Sequence, residues 1–79
     1  MTRMRVKLTF PERLIKEPVI YNLAIKFNIV TNIRRANVEQ KVGWIVMEMD
    51  GVEADLEAGL RYLDEVGVEV EQLDGGLAG

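Results

Sequence analysis

The 79-residue sequence contains no cysteine and no histidine. Without thiols it can form no disulfide, and it can hold neither a thiolate metal site nor an iron–sulfur cluster. Without imidazole it lacks the commonest general base and the commonest metal ligand. No nucleophile–base pair of the Ser–His or Cys–His kind can be assembled, so only carboxylates remain as candidate catalytic groups or ligands. There are two prolines, and aromatics make up 6% of the chain. No glycine-rich phosphate loop is present. No apolar run approaches the roughly 18 residues of a membrane span. The opening Met1-Thr2-Arg3-Met4-Arg5 runs straight into an alternating pattern and lacks the apolar block of a signal peptide. The expectation is a cytoplasmic, non-enzymatic domain with no direct membrane contact and no cofactor.

What is present is one domain's worth of packing material. A chain of this size buries only about 60 to 65% of its unfolded surface, and a hydrophobic content of 48% suffices for a core. The net charge of −3 argues against nucleic acid as a partner, because phosphate binding needs a basic footprint. The charges are uneven. Arg3, Arg5, Lys7, Arg13 and Lys16 lie in the first fifth, and the last third is mostly acidic. Neighbouring strands pairing their charges would produce this polarity.

Met4, Val6, Leu8 and Phe10 alternate with Arg5, Lys7 and Thr9, which predicts a strand with one buried face. Pro11 ends it. Glu12 to Glu17 reads as a loop whose Leu14 and Ile15 cap one end of the core. Pro18 suits the first turn of a helix, and Ile20, Leu23, Ala24 and Phe27 form its apolar stripe. Asn28 can close that helix in the left-handed conformation. Ile29 to Val38 is a second strand in which Ile29, Thr31 and Ile33 share one phase. Ala36 and Val38 lie in the other phase, and a bulge near Arg34-Arg35 would return them to the core face. Glu39 to Gly43 reads as a hairpin turn with Gly43 at positive φ. Ile45, Met47 and Met49 alternate with Trp44, Val46 and Glu48 in a third strand. Asp50-Gly51 breaks it, and a second helix follows with Leu56, Gly59, Leu60 and Leu63 on its stripe and Gly67 past its end. Val68 and Val70 mark a last strand. The predicted fold class is α+β: a ferredoxin-like βαββαβ sandwich, a four-stranded antiparallel sheet with two helices on one face. Its predicted core comprises Val6, Leu8, Phe10, Ile20, Leu23, Phe27, Ile33, Ile45, Met47, Leu56, Leu60, Leu63 and Val70.

Few residues outside this core suggest chemistry. Glu53, Asp55 and Glu57 fit a helix start, where acids complement the dipole, better than a converging carboxylate site. Met47 and Met49 fit core filling better than thioether ligation, with no other soft ligand near. Trp44 and Val46 fall on the uncovered sheet face. There Trp44 is either an interface anchor or is partly covered by its own hairpin. Asn32, Arg34 and Arg35 cluster on the strand predicted to bulge. They form either a site, since arginine forks suit carboxylates and an Asn offers donor and acceptor, or an edge strand blunted by charge.

Leu8-Thr9-Phe10-Pro11, Glu17-Pro18-Val19-Ile20-Tyr21, Phe27-Asn28, Asn32-Ile33, Gly43-Trp44-Ile45-Val46-Met47-Glu48-Met49-Asp50-Gly51 and Tyr62-Leu63-Asp64-Glu65-Val66-Gly67-Val68-Glu69-Val70 together resemble the NIL domain. The order and spacing of these pieces over residues 4 to 73 carry the resemblance. It implies a ferredoxin-like, ACT-like fold and one of two settings. In one, the domain is the C-terminal regulatory part of the ATP-binding subunit of the methionine ABC importer, where it binds methionine between paired domains and inhibits transport. In the other it precedes a ferredoxin with iron–sulfur clusters and is associated with sulfur incorporation into homocysteine. Leu14-Ile15, Glu17 to Tyr21 and Arg35-Ala36 look closer to the second setting, although the chain contains neither an ATPase nor a cluster-binding segment. The family's name motif falls on Asn32-Ile33-Arg34. By resemblance Asn32 is the ligand-binding position, and Arg34 stands where the motif usually has an apolar residue.

The resulting expectation is a domain over residues 1–73 followed by a flexible tail, 74–79. It would be a non-catalytic regulatory module for a sulfur amino acid such as methionine or a related amino-acid-like ligand, working as a homodimer. The alternative is a protein-interaction module in sulfur, homocysteine or ferredoxin-linked metabolism with no free ligand. The partner chain would be an ABC transporter, a ferredoxin or a sulfur-metabolism enzyme. The expected ligand-binding residues are Asn32, Ile33, Arg34 and Arg35, and the expected interface residues are Trp44, Val46, Ala36 and Val38.

Overall fold

The computed structural model describes residues 1–73; the tail expected over 74–79 lies outside the described residues. The elements are β1 (Thr2–Pro11), α1 (Glu12–Ile15), α2 (Val19–Phe27), β2 (Val30–Val38), β3 (Val42–Gly51), α3 (Glu53–Val66) and β4 (Glu69–Gln72). They make one sheet in the order β2-β3-β1-β4 with every neighbouring pair antiparallel. This is the ferredoxin-like α+β arrangement, with α1 as a short addition.

The period of two in β1 decides which face is buried. Met4, Val6, Leu8 and Phe10 are buried together with Met47 and Met49 of β3, Val19 and Leu23 of α2, and Leu56 and Leu63 of α3. Arg3, Arg5, Lys7 and Thr9 occupy the opposite, uncovered face. Asn28 closes α2 with φ 55°, and Gly67 closes α3 with φ 105°, both in the left-handed region that ends helices. The Gly67 N–H donates to the carbonyls of Leu63 and Asp64.

Four expectations are corrected. The segment after Pro11 is not simply a loop: Glu12–Ile15 forms a helical turn that buries Leu14. Arg13 from this turn donates from Nη2 to the Val66 carbonyl at 2.9 Å, placing a cation at the C-terminus of α3. Gly43 is not a positive-φ turn residue. It lies inside β3 opposite Phe10, and the turn is Glu39 to Lys41, closed by Glu39 N–H donating to the Val42 carbonyl. Third, Ile33 is 51% exposed rather than buried. Its rung partner Met47 is fully buried, so Ile33 has the right phase but lies on an edge strand that the helices do not cover. Fourth, Ile20, Phe27, Ile45, Leu60 and Val70 are only partly buried and pack at the core's margin. Met4, Leu14, Val19, Ile29, Met49 and Val68 complete the interior in their place.

Candidate functional site

The predicted bulge is present. The β2–β3 register shifts between Ile33, opposite Met47, and Arg35, opposite Val46. In a regular strand, consecutive residues point to opposite faces, so Arg34 and Arg35 would part. With Arg34 as the extra residue, both arginines reach the uncovered face: Arg35 shares its rung with Val46, and Arg34 Nη1 lies 3.7 Å from Glu48 Oε1. The bulge also returns Ala36 to the rung of Ile45 and Val38 to that of Gly43, which restores their helix-side phase. Both remain exposed on this edge strand.

Of the four expected ligand residues, the structure brings three together. Asn32, opposite Glu48, shares the uncovered face with Arg34 and Arg35. Ile33 points to the other face. The four expected interface residues divide in the same way: Trp44 and Val46 lie on the uncovered face, and Ala36 and Val38 on the helix side. Trp44 is half-buried, with the Lys7 ammonium 5.3 Å from its ring centroid. Its own sheet therefore covers part of it through a cation–π contact.

The sequence places Glu48 on the uncovered face and allows it to pair with Arg34 across the sheet, which the structure shows; what it does not reveal is that Glu48 is the centre of that face. It is the buried charged residue among the described residues, at 5% exposure. Its Oε2 accepts a hydrogen bond from Arg5 Nη2 at 2.9 Å, and its Oε1 faces Arg34 and, at 4.0 Å, Arg3 Nη1. Arg3 itself donates to Asp50 Oδ1 at 2.9 Å. The usable signal was the basic alternation of β1. The antiparallel register sets Arg3 opposite Asp50 and Arg5 opposite Glu48, which is the cross-strand charge pairing that the uneven charge distribution suggested.

The Arg5 hydrogen bond holds the Glu48 carboxyl below its usual range. Burial opposes it, and the charges of Arg34, Arg3 and Arg5 add to the lowering. A carboxyl with a depressed folded pKa contributes stability that is present above the unfolded value, about 4.3, and is lost as pH falls through the folded value. Glu48→Gln should therefore be less stable than the parent at neutral pH, and its stability should fall less between about pH 7 and pH 3. Urea midpoints at both pH values check this; an unchanged pH dependence in the variant would remove Glu48 from this role.

Beside this cluster, Arg5, Arg34, Arg35, Val46 and Leu73 line a cleft of about 410 Å³. Among the described residues no group of three or more Asp or Glu could hold a metal ion, and no helix is long and apolar enough to cross a membrane.

An antiparallel four-stranded sheet with helices on one face and a bulged, arginine-bearing edge strand defines a ferredoxin-like domain. The NIL domain family model matches residues 4–72, and the chain belongs to that family. The methionine import ATP-binding protein MetN of Helicobacter pylori (strain J99) is 31% identical over 71 residues, covering 85% of this chain and 22% of that protein. The MetN of Helicobacter acinonychis gives the same figures. The chain thus spans about a fifth of the length of these curated relatives. The C-terminal domain of an ABC transporter/ATP-binding protein from Enterococcus faecalis superposes with a TM-score of 0.78 at 23% identity, covering 90% of this chain and 83% of that one. A de novo designed protein, Foldit4, superposes at 0.58 with 10% identity, covering 91% and 92%. At these identities the structural likeness concerns the fold alone.

Proposed function

We propose that this NIL domain is a non-catalytic regulatory module that binds a small amino-acid-like ligand at the bulge of β2 and transmits its presence to a partner chain. The observation that carries the reading is the gathering of Asn32, Arg34 and Arg35 on one face by that bulge. A guanidinium takes a carboxylate in a fork, and an amide offers a donor and an acceptor to an ammonium-bearing ligand. Similarity to methionine import ATP-binding proteins favours methionine or another sulfur amino acid as ligand and an ABC-transporter subunit as partner. The exposed edge strand, with Ile33 and Val38 uncovered, favours a homodimer through β2, since an unpaired apolar edge invites pairing.

A second reading follows from one observation: Arg34 already faces Glu48. If that ion pair is all the cluster does, the domain is a docking module without a free ligand, for a ferredoxin or a sulfur-metabolism enzyme.

Titration of L-methionine and L-homocysteine into the ¹⁵N-labelled chain separates the two. The first reading expects amide shifts at Asn32 to Ala36, together with a melting temperature raised by more than about 5 °C at a hundredfold excess over Kd. It also expects sedimentation as a dimer at micromolar concentration. Shifts confined to residues away from Asn32 to Ala36 would refute the site. No shifts at millimolar ligand would favour the docking module.

A further inference from the structure

We propose that the cleft between Arg5, Arg34 and Arg35 is an oxyanion subsite, and that the domain's ligand is a short aliphatic acid carrying two negative groups. This rests on the reading above of a small amino-acid-like ligand at the bulge, and departs from it in the ligand's tail, which here carries a second negative group in place of a neutral thioether. The charge count on the uncovered face comes first. Arg3 is matched by Asp50, and Arg5 and Arg34 share the single carboxylate of Glu48. Arg35 has no carboxylate within 4 Å among the described residues. Lys7 stands over Trp44 and shares its rung with Glu71, so it does not change the balance. Over the whole face Glu69, opposite Thr9, brings the surplus down to one positive charge, but at the cleft itself the guanidiniums of Arg5, Arg34 and Arg35 face the one carboxylate of Glu48, a local surplus of two in a chain whose net charge is −3.

Geometry gives this surplus a shape. The bulge turns two consecutive arginines to one side, a re-aiming that a regular strand cannot achieve. Glu48, nearly buried, positions Arg5 and Arg34 but leaves most of their donors unused, since each guanidinium carries five N–H groups. The rest of the cleft is apolar: Val46 from β3 and Leu73 past the end of β4. Leu73 is held there by its N–H donating to the Arg5 carbonyl at 2.9 Å. Apolar walls beside guanidinium forks suit a ligand that is oxyanionic at its ends and aliphatic between them. About 410 Å³ accommodates a molecule of that size.

The test uses the purified chain at fixed ionic strength, because exposed charges respond to salt. L-glutamate and glutarate are the probes, with L-methionine titrated alongside to report on the regulatory reading. L-glutamine serves as the uncharged isostere, inorganic phosphate as the plain anion and sodium chloride as the ionic control. Glutamate and glutarate should shift the amides of Arg34, Arg35, Val46 and Leu73 and should bind about tenfold or more tighter than glutamine. Arg35→Ala should abolish the preference for glutamate. Arg35→Lys should retain only part of it, because a lysine keeps the charge and loses the fork. Arg35 is exposed and outside the core, so neither variant threatens folding. Equal binding of glutamate and glutamine would overturn the proposal. So would effects reproduced by sodium chloride, or by phosphate alone with no preference for the aliphatic acids. Methionine shifts at Asn32 without any response to dicarboxylates would overturn the acidic subsite and leave the regulatory reading standing. Silence toward every probe would remove both.

Discussion

Leu63→Ala should lower the stability of the domain by roughly 2 to 5 kcal/mol. Leu63 has no solvent exposure and lies on α3 within the cluster that joins both long helices to β1 and β3. Truncation removes the transfer free energy of the lost carbons and leaves a cavity that the close-packed surroundings refill only in part. A domain of 79 residues has a total stability of roughly 4 to 12 kcal/mol, so the variant approaches the point where a measurable fraction is unfolded at room temperature. Leu60, three residues earlier, was expected to be equally important, but it lies at the margin of the core. Leu60→Ala should therefore cost clearly less. Urea denaturation of both variants checks the order, with the midpoint lowered and the slope unchanged. If Leu60→Ala cost as much as Leu63→Ala, α3 would present a different face to the sheet.

The two leucines illustrate what was legible in the sequence. Periodicity gives the phase of an element, and phase was read correctly throughout β1, β3 and α3. It does not give the distance from each residue to the nearest covering layer. Ile33 has the phase of a core residue and is half exposed, because the chain order alone does not state how far the helices reach over β2. In α2 the expected stripe began at Ile20, whereas the most buried pair is Val19 and Leu23. The same residues suit either centring, and only the docking angle separates them. The turn at Glu12–Ile15 was hidden because four residues are too few to show a helical period.

The candidate site was legible in a similar proportion. The bulge followed from a local conflict, since two apolar residues fell out of phase after an arginine pair, and such conflicts can be read without knowing the fold. The role of Glu48 required the pairing of β1 with β3. Arg5 and Glu48 are 43 residues apart, and their contact exists only in that register. Ile33 was grouped with Asn32 and Arg34 because the family's name motif falls on those three residues, and the strand's alternation turns it to the other face.

Gly59→Val should be the other strongly destabilising change, at roughly 1 to 3 kcal/mol or more. Gly59 sits in the middle of α3, where glycine is unfavourable relative to alanine by about 0.5 to 1 kcal/mol. Its presence there is explained by packing. A Cβ at this position would stand 2.6 Å from Ile29 Cδ1 and 3.0 Å from Leu23 Cδ1, with Met49 Cε at 4.0 Å. The missing side chain is what lets α3 approach α2 and Ile29, just before β2, so closely. A single methyl group meets the far end of the Ile29 side chain, which can rotate. Gly59→Ala should therefore stay within about 1 kcal/mol of the parent, the gain in helix propensity offsetting the displaced methyl. Valine adds two further carbons on a stiff, β-branched frame. Ile29 and Leu23 are both buried and have nowhere to retreat together, so the helix itself must shift. Denaturant midpoints for the two variants provide the check. A steep drop from alanine to valine supports the close approach of α3, and equal stability would show that space exists where the packing leaves none.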